Sequence, residues 1–340
     1  MTTTTLRFET RTRLIDTASI LTDKVLLISG GTGSFGQKFA EIALTHSPKQ
    51  IIIYSRGELL QKEMESRFSD SRLRFFIGDV RDKERLASVM RGVDIVVHAA
   101  ALKQVPIGEY NPQEVIKTNV FGTMNIIEAC IANSVNRTIL ISSDKAVQPI
   151  NTYGATKMLA EKLFIQANLL GNTMFSCVRY GNVAFSRGSV IPLFLEQKHK
   201  SYITITDESM TRFWITLRQG VEFVISCLDT MLGGEILIPM LPSIRIVDLA
   251  DAIAPDTKKV ITGTRPGEKL HEVLISKDEA RHTVELDDKF IIIPEINLKS
   301  GRFIDLPTKR ASEYSSINNS HWLTKETLKE MIKCATAQSA

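Results

Sequence analysis

The sequence predicts an α/β protein built on a doubly wound parallel sheet, with a smaller C-terminal lobe. Three observations carry that prediction. Short aliphatic runs recur between amphipathic segments, the alternation that yields parallel strands with helices on both faces. The first run ends directly in a glycine-rich loop that opens the first helix. Residues suited to chemistry fall just past the carboxyl ends of predicted strands, where open sheets of this kind bind their ligands.

Residues 24–29 form the first strand, a buried aliphatic run that stops at glycine. Gly30-Gly31-Thr32-Gly33-Ser34-Phe35-Gly36 follows, and an amphipathic helix runs to about residue 46. The loop fits both Gly31-x-Gly33-x-x-Gly36 and Gly30-x-x-Gly33-x-x-Gly36. In either register the missing Cβ atoms let backbone approach a pyrophosphate at the helix N-terminus, the mark of a Rossmann-type sheet. Gly30, Thr32, Gly33, Ser34, Phe35 and Gly36 are therefore candidate cofactor contacts.

A second strand, 50–55, ends in Ser55-Arg56. A site for NAD places a carboxylate roughly 20 residues past the glycines to hold the ribose hydroxyls. Arg56 stands there instead, and a guanidinium matches a 2′-phosphate, which selects NADP. The alternative for Arg56 is a solvated arginine at a strand end. The alternation continues with a helix near 57–68, a strand 73–77, Asp79-Val80, a helix near 82–90 and a strand 94–98. Asp79 either touches an adenine amino group or caps the next helix. Ala99-Ala100-Ala101, followed by Lys103, offers the small surface a cofactor needs to lie against backbone, while His98 reads as a core or strand-end histidine.

Residues 112–132 predict one long helix with Asn119 facing Thr123 at i+4, followed by a strand 138–142, a helix 151–166 and a strand 174–180. Beyond that the alternation weakens. Three polar patches remain, around Asn182 and Arg187, around Arg212, and along Arg265-Pro266-Gly267-Glu268-Lys269, before a loop and a closing helix in the last forty residues. The expected organisation is an N-terminal arm (1–22), a dinucleotide-binding domain (23–185) and a mainly substrate-binding lobe (186–340) whose segments interleave with that domain.

Composition narrows the function. In 340 residues, 43% hydrophobic content supports a sizeable core, and a net charge of +4 is spread over the chain with no basic stripe. Nucleic acid is not the expected partner; an anionic small molecule is. Cys130, Cys177, Cys227 and Cys334 are far apart, so neither a metal set nor a disulfide framework is expected. No apolar run approaches the roughly 20 residues of a membrane helix. The start, with Glu9 and Asp16 among its basic residues, lacks a signal-peptide core, so a cytoplasmic protein is expected.

Ser143-Asp144-Lys145 and Tyr153-Gly154-Ala155-Thr156-Lys157 carry the candidate chemistry. Tyr153 and Lys157 stand at i and i+4 on a helix, and a nearby ammonium favours phenolate over phenol. A phenolate is the base that oxidation of a hydroxyl requires. Asp144 and Lys145 form a second acid/base pair, more than a simple alcohol dehydrogenase needs. The plainer role for Lys145 is a salt bridge to Asp144.

From about Lys24 to Trp322 the chain resembles the extended short-chain dehydrogenase/reductase family, within it the inverting UDP-N-acetylglucosamine 4,6-dehydratases of bacterial pseudaminic acid synthesis. The likeness rests on the glycine loop, Gly78-Asp79-Val80-Arg81-Asp82, His98-Ala99-Ala100-Ala101-Leu102-Lys103, Asp144-Lys145-Ala146, Tyr153-Gly154-Ala155-Thr156-Lys157 and Arg179-Tyr180-Gly181-Asn182-Val183. The related retaining enzymes usually carry Asp-Glu where this chain has Asp144-Lys145. The resemblance implies NADP, a UDP-sugar, and a homo-oligomer, dimer or hexamer. It implies that Tyr153 takes the proton from the hydroxyl on sugar carbon 4, and that Lys157 holds the nicotinamide ribose and lowers the tyrosine's pKa. Lys145, its pKa depressed by burial or nearby cations, removes the proton on carbon 5, and Asp144 protonates the departing hydroxyl of carbon 6. Lys103, Asn182, Arg187, Arg212, Arg265 and Glu268 are implied substrate contacts. Departures from the family pattern are Ser143 for threonine, Phe185 for glycine and Gly57 for the acid that commonly follows Arg56. Rival readings are the related dehydratase of UDP-N-acetyl-L-fucosamine synthesis, a UDP-sugar 4-epimerase, and a catalytically silent NADP-sensing protein.

Overall fold

A computed structural model describes residues 18–184, 189–295, 303 and 309–337. Six runs of mostly buried aliphatic residues form parallel strands: β1 (Val25–Ser29), β2 (Gln50–Ser55), β3 (Leu73–Ile77), β4 (Ile95–His98), β5 (Arg137–Ile141) and β6 (Met174–Val178). The second lobe begins with β7 (Asn182–Val183), β8 (Tyr202–Ile205) and β9 (Thr211–Ile215). The chain then returns to the large sheet as β10 (Ile236–Pro239), parallel to β6, before β11 (Ser243–Arg245), β12 (Lys258–Ile261) and β13 (Val273–Ile275). β14 (Thr283–Glu285) and β15 (Lys289–Ile292) add an antiparallel edge, and β16 (Tyr314–Ser315) pairs with β13.

Among the described residues the large sheet runs β14-β15-β10-β6-β5-β4-β1-β2-β3. Its order reverses between β1 and β4, and the crevice beyond their carboxyl ends is the expected ligand site of such a sheet. Strands from beyond residue 185 thus complete the sheet begun by the N-terminal half. The main core packs both faces, with Leu26, Phe39, Phe164 and Leu237 fully or almost fully buried; a second cluster around Phe194, Trp214 and Leu249 holds the lobe.

Two local expectations are revised. Residues 112–132 are not one regular helix: the helices Pro112–Ile116 and Gly122–Ala132 are joined by a π-helical stretch, Lys117–Phe121. Such insertions often mark functional positions, and this one sets the Asn119 amide against the chain after β4, where it accepts from the N–H of Leu102 and donates to its carbonyl. Of the N-terminal arm, residues 1–17 lie outside the described set. Ala18–Leu21 forms one helical turn with Leu21 fully buried, so the packed chain starts ahead of residue 22. Among the described residues, no helix is long and apolar enough to cross a membrane.

Candidate active site

A cleft of about 780 Å³ opens past the carboxyl ends of β1, β2, β4 and β5. All sixteen residues expected to hold the cofactor line it: Gly30, Thr32, Gly33, Ser34, Phe35, Gly36, Ser55, Arg56, Asp79, Val80, Ala99, Ala100, Ala101, Lys103, Tyr153 and Lys157. Asp144, Lys145 and Asn182 line the same space.

The glycine loop is shaped for close approach. Gly30 has φ +69°, and a Cβ there would lie 2.8 Å from the Cα of Ala100, so only glycine lets the loop press against the end of β4. Gly33 precedes the helix Ser34–Leu44, whose first residues face the cleft and carry the anion-favouring end of the helix dipole. At the adenosine end, Arg56 is half-exposed with a nitrogen 3.7 Å from the carboxylate of Asp79, which is also bound by Arg81. Asp79 is not the helix cap; Asp82 accepts from the N–H of Arg85 in that role. Together these groups form a polar, phosphate-compatible pocket.

At the other end, β5 runs into a short 3₁₀ turn, Asp144–Ala146, whose N-cap Ser143 accepts from the N–H of Lys145. The helix Thr152–Ala167, capped by Asn151, brings Tyr153 and Lys157 alongside. Asn151 also donates to the carbonyl of Gly267, tying the 265–272 loop to the start of this helix.

That loop supplies a residue that pattern reading missed. Lys145 Nζ lies 3.1 Å from Asp144 Oδ1 and 3.2 Å from Glu272 Oε1. Glu272 is 127 positions along the chain, and nothing in the run Glu268-Lys269-Leu270-His271-Glu272 marks which acid turns inward. The pairing overturns the expected depression of Lys145. Burial pulls its pKa down, but the Asp144 and Glu272 carboxylates reverse the effect and raise it above the ordinary lysine range. Asp144 is pushed the other way for a carboxyl: burial, then the charge of Glu272, favours its neutral form. Glu272 stays ionised despite burial because Lys145, Arg212 and Lys269 surround it.

The two helix residues also differ from expectation. Burial lowers Lys157 to about 8, with Glu161 acting in the opposite sense, and its Nζ donates to the carbonyl of Ile141 at 2.6 Å. Tyr153 is raised by burial, and the cation that counters this is Lys145, aided by a hydrogen bond with Ser143. Among the surrounding cations, Lys145 is the one that acts to lower Tyr153.

Arg212 does not line the cleft. It is buried behind it, donating to the carbonyls of Thr211, Lys269 and Leu270 and lying 3.8 Å from both Glu268 and Glu272. A guanidinium whose donors are spent on backbone shapes the loop instead of meeting a diphosphate. Arg265 is exposed and paired with Glu268 at 3.2 Å, beyond the cleft wall. Arg187 and Phe185 lie outside the described residues.

Beneath the cleft, Ser142 donates to Glu161, and Glu161 pairs with the buried Arg179 at 2.7 Å. Arg179 also donates to the carbonyl of Leu274, two residues past Glu272. One buried network thus links the end of β5, the helix Thr152–Ala167 and the incoming loop.

Residues 26–294 match the family model for polysaccharide biosynthesis proteins. Over 324 residues the chain is 49% identical to a UDP-N-acetylglucosamine 4,6-dehydratase (inverting) of Campylobacter jejuni subsp. jejuni serotype O:23/36 (strain 81-176), covering 91% of this chain and 97% of that one. It is 43% identical over 282 residues to a UDP-glucose 4-epimerase of Rickettsia conorii (strain ATCC VR-613 / Malish 7), covering 79% and 83%. Among solved structures, Pen from Bacillus thuringiensis superposes with a TM-score of 0.85 at 38% identity, over 93% of this chain and 98% of that chain.

Proposed function

The chain belongs to the polysaccharide biosynthesis protein family, and from that membership we propose how its cleft works as an inverting UDP-N-acetylglucosamine 4,6-dehydratase. The observation that carries the reading is the placement of the Lys145 amine in one crevice with Tyr153, Asp144 and Lys157.

The glycine loop, Ser55, Arg56, Asp79, Val80, Ala99, Ala100, Ala101 and Lys157 are suited to hold a nicotinamide dinucleotide, which when bound supplies the hydride acceptor and later donor. Arg56 supports NADP over NAD, because its long 3.7 Å contact with Asp79 leaves donors for a 2′-phosphate. Asn182, whose buried Oδ1 accepts no hydrogen bond from a described residue, supports a polar contact to the sugar beside Lys103. Arg187, Arg265 and Glu268 remain the proposed contacts to the uridine diphosphate, with Arg212 holding the 265–272 loop from behind.

Tyr153, as phenolate, takes the proton of the carbon-4 hydroxyl. Loss of that proton together with hydride from carbon 4, for which a bound nicotinamide dinucleotide would be the acceptor, leaves a ketone that acidifies carbon 5. Lys145, as amine, takes the carbon-5 proton while the electron pair forms the double bond to carbon 6. The carbon–oxygen bond at carbon 6 breaks, and Asp144 supplies the proton with which that hydroxyl departs as water. Burial favours the neutral form of this carboxyl, the form the step requires. Hydride addition at carbon 6, with protonation of carbon 5 from the opposite face, would saturate the double bond and invert the centre. A 4-epimerase has no elimination to drive, so the Asp144–Lys145 pair favours dehydration over that reading.

Conversion of UDP-N-acetylglucosamine in deuterated water, followed by NMR, tests the assignment. The expected product is a 4-keto-6-deoxy sugar of L-arabino configuration carrying deuterium at carbon 5, with no net consumption of NADP. A product epimeric at carbon 4 with its 6-hydroxyl intact would replace this reading with epimerisation.

A further inference from the structure

We propose that Gln61 is a positioning residue for cofactor choice: its buried amide aims the hydroxyl hydrogen of Ser55 into the cleft, where it donates to the 2′-phosphate of NADP. The inference rests on the reading of Arg56 as the group that meets that phosphate, and deepens it. Gln61 belongs to no motif. It lies early in the helix Glu58–Phe68, is 5% exposed and reaches back to the end of β2.

The amide nitrogen of Gln61 lies 3.0 Å from the carbonyl of Ser55 and 3.0 Å from that of Phe76 in β3. Carbonyl oxygens only accept, so the nitrogen and not the amide oxygen faces them, and these partners fix the orientation of the group. The same nitrogen is 3.1 Å from Oγ of Ser55. An amide nitrogen cannot accept, so the Ser55 hydrogen does not turn toward it. The Ser55 carbonyl is already occupied, accepting from Gln61 and from the N–H of Gly78 at 3.0 Å. Among the described residues the hydroxyl donates to none, and the open side of Ser55 is the cleft. Gln61 thus leaves Ser55 one role, that of a donor facing the ligand.

The corner around that hydrogen suits an anion. Arg56 follows directly, and the Asp79 carboxylate, 3.7 Å from it, is bound by Arg81 at 2.7 Å. Gly57 and Leu60 line the same cleft, and the helix Glu58–Phe68 begins here with no side chain capping its first N–H groups. An ionised phosphate oxygen only accepts, so a hydroxyl held as a donor matches it. The 2′-hydroxyl of NAD gains less, because a neutral hydrogen bond is weaker than one to a charged group. A donor aimed in advance also avoids the cost of ordering its rotor on binding.

The test measures NADP and NAD dissociation constants by calorimetry for the full chain and for Ser55→Ala, Gln61→Met and the two combined. Ser55→Ala is expected to weaken NADP about tenfold, the loss of one charge-assisted hydrogen bond, and NAD by about twofold or less. Gln61→Met keeps the bulk of the side chain and removes its donors; it is expected to weaken NADP about three- to tenfold and leave NAD close to wild type. A brace that merely held β2 to β3 would weaken both cofactors alike, so the NADP-to-NAD ratio separates positioning from structure. Combined, the two changes should alter that ratio no more than Ser55→Ala alone, since Gln61 acts through a hydroxyl already gone. An unchanged ratio in Ser55→Ala, equal losses of both cofactors in Gln61→Met, or multiplied effects in the double variant each overturn the proposal. Should Gln61→Met not fold, Gln61→Asn, whose amide falls one methylene short of Ser55, is read by the same ratio. A wild type that binds NAD as tightly as NADP removes the NADP reading and this inference together. A preference for NADP that is lost in Arg56→Ala but kept in Ser55→Ala removes this inference alone.

Discussion

Gly154 packs against the carbonyl of Lys145, so closely that a Cβ on Gly154 would lie 2.2 Å from that oxygen. The oxygen belongs to the backbone of the turn Asp144–Ala146, and no flexible side chain stands between them. The turn and the helix carrying Tyr153 therefore keep their spacing through a position that admits no side chain.

Gly154→Ala must displace either the turn or the helix start. Overpacking of this kind costs about 1–3 kcal/mol, and a displacement near 1 Å at the chemistry costs about 100-fold in rate. The expected outcome is a folded protein that binds its nicotinamide dinucleotide with near wild-type affinity and has kcat reduced about 100-fold. Wild-type kcat would mean that the turn relaxes without consequence for Lys145.

Arg56 directly follows β2, in the position proposed to decide between the two nicotinamide dinucleotides. Arg56→Ala removes the guanidinium proposed to meet the 2′-phosphate, and a lost charge-assisted hydrogen bond costs about 1.5–3 kcal/mol. NADP affinity, measured by calorimetry, is expected to fall by one to two orders of magnitude while NAD affinity changes little. Equal losses for both cofactors would remove Arg56 from 2′-phosphate recognition.

The sequence made the nucleotide end of the cleft legible because local pattern determines it. The glycine loop, Ser55-Arg56 and Ala99-Ala100-Ala101 each lie next to the strand that presents them, and all line the cleft. The place of the turn after β5 was equally readable, since Asp144 and Lys145 follow that strand closely and Tyr153 lies in the first turn of the next helix. Glu272 and the true setting of Arg212 were not, because both depend on a loop returning from far along the chain, held by Asn151–Gly267 and Lys269–Val147 contacts. The charge state of Lys145 was misjudged for the same reason. Burial alone predicts depression, and the adjacent Asp144 together with the distant Glu272 reverses it. The helix expected across 112–132 missed its π-helical stretch because the apolar spacing there also suits a regular helix.

Arg179 and Glu161 form an ion pair at 2.7 Å with almost no exposure, joined by Glu279 at 2.9 Å. Removing one partner of a buried pair leaves an uncompensated charge, a loss of about 3–5 kcal/mol. Arg179→Met is therefore expected to lower the thermal midpoint sharply. Combining it with Glu161→Gln should recover part of the loss, which chemical denaturation can read. If the double variant is as unstable as the sum of both single changes, the charges do not compensate each other.

His98 bridges the two central strands through a chain of directional hydrogen bonds. Thr123 donates its hydroxyl to the carbonyl of Asn119, so it accepts from Nε2–H of His98 at 3.1 Å; Nδ1 then accepts from Ser29, 2.7 Å away, whose oxygen in turn accepts from the N–H of Ala100. Only the neutral ring satisfies this chain. Burial, with a smaller contribution from Lys157, lowers His98 from 6.5 to about 3. The unfolded chain thus binds a proton that the folded chain refuses between those values, and stability falls as pH drops from 6.5 toward 3. His98→Gln, which keeps a donor and an acceptor without a titrating ring, should be less stable at pH 7 but lose less on acidification. Thermal midpoints recorded from pH 7 to 4 compare the two slopes. Equal slopes would assign the acid sensitivity of the sheet to its carboxylates, and the ring would then be a spacer between β1 and β4 and not a titrating group.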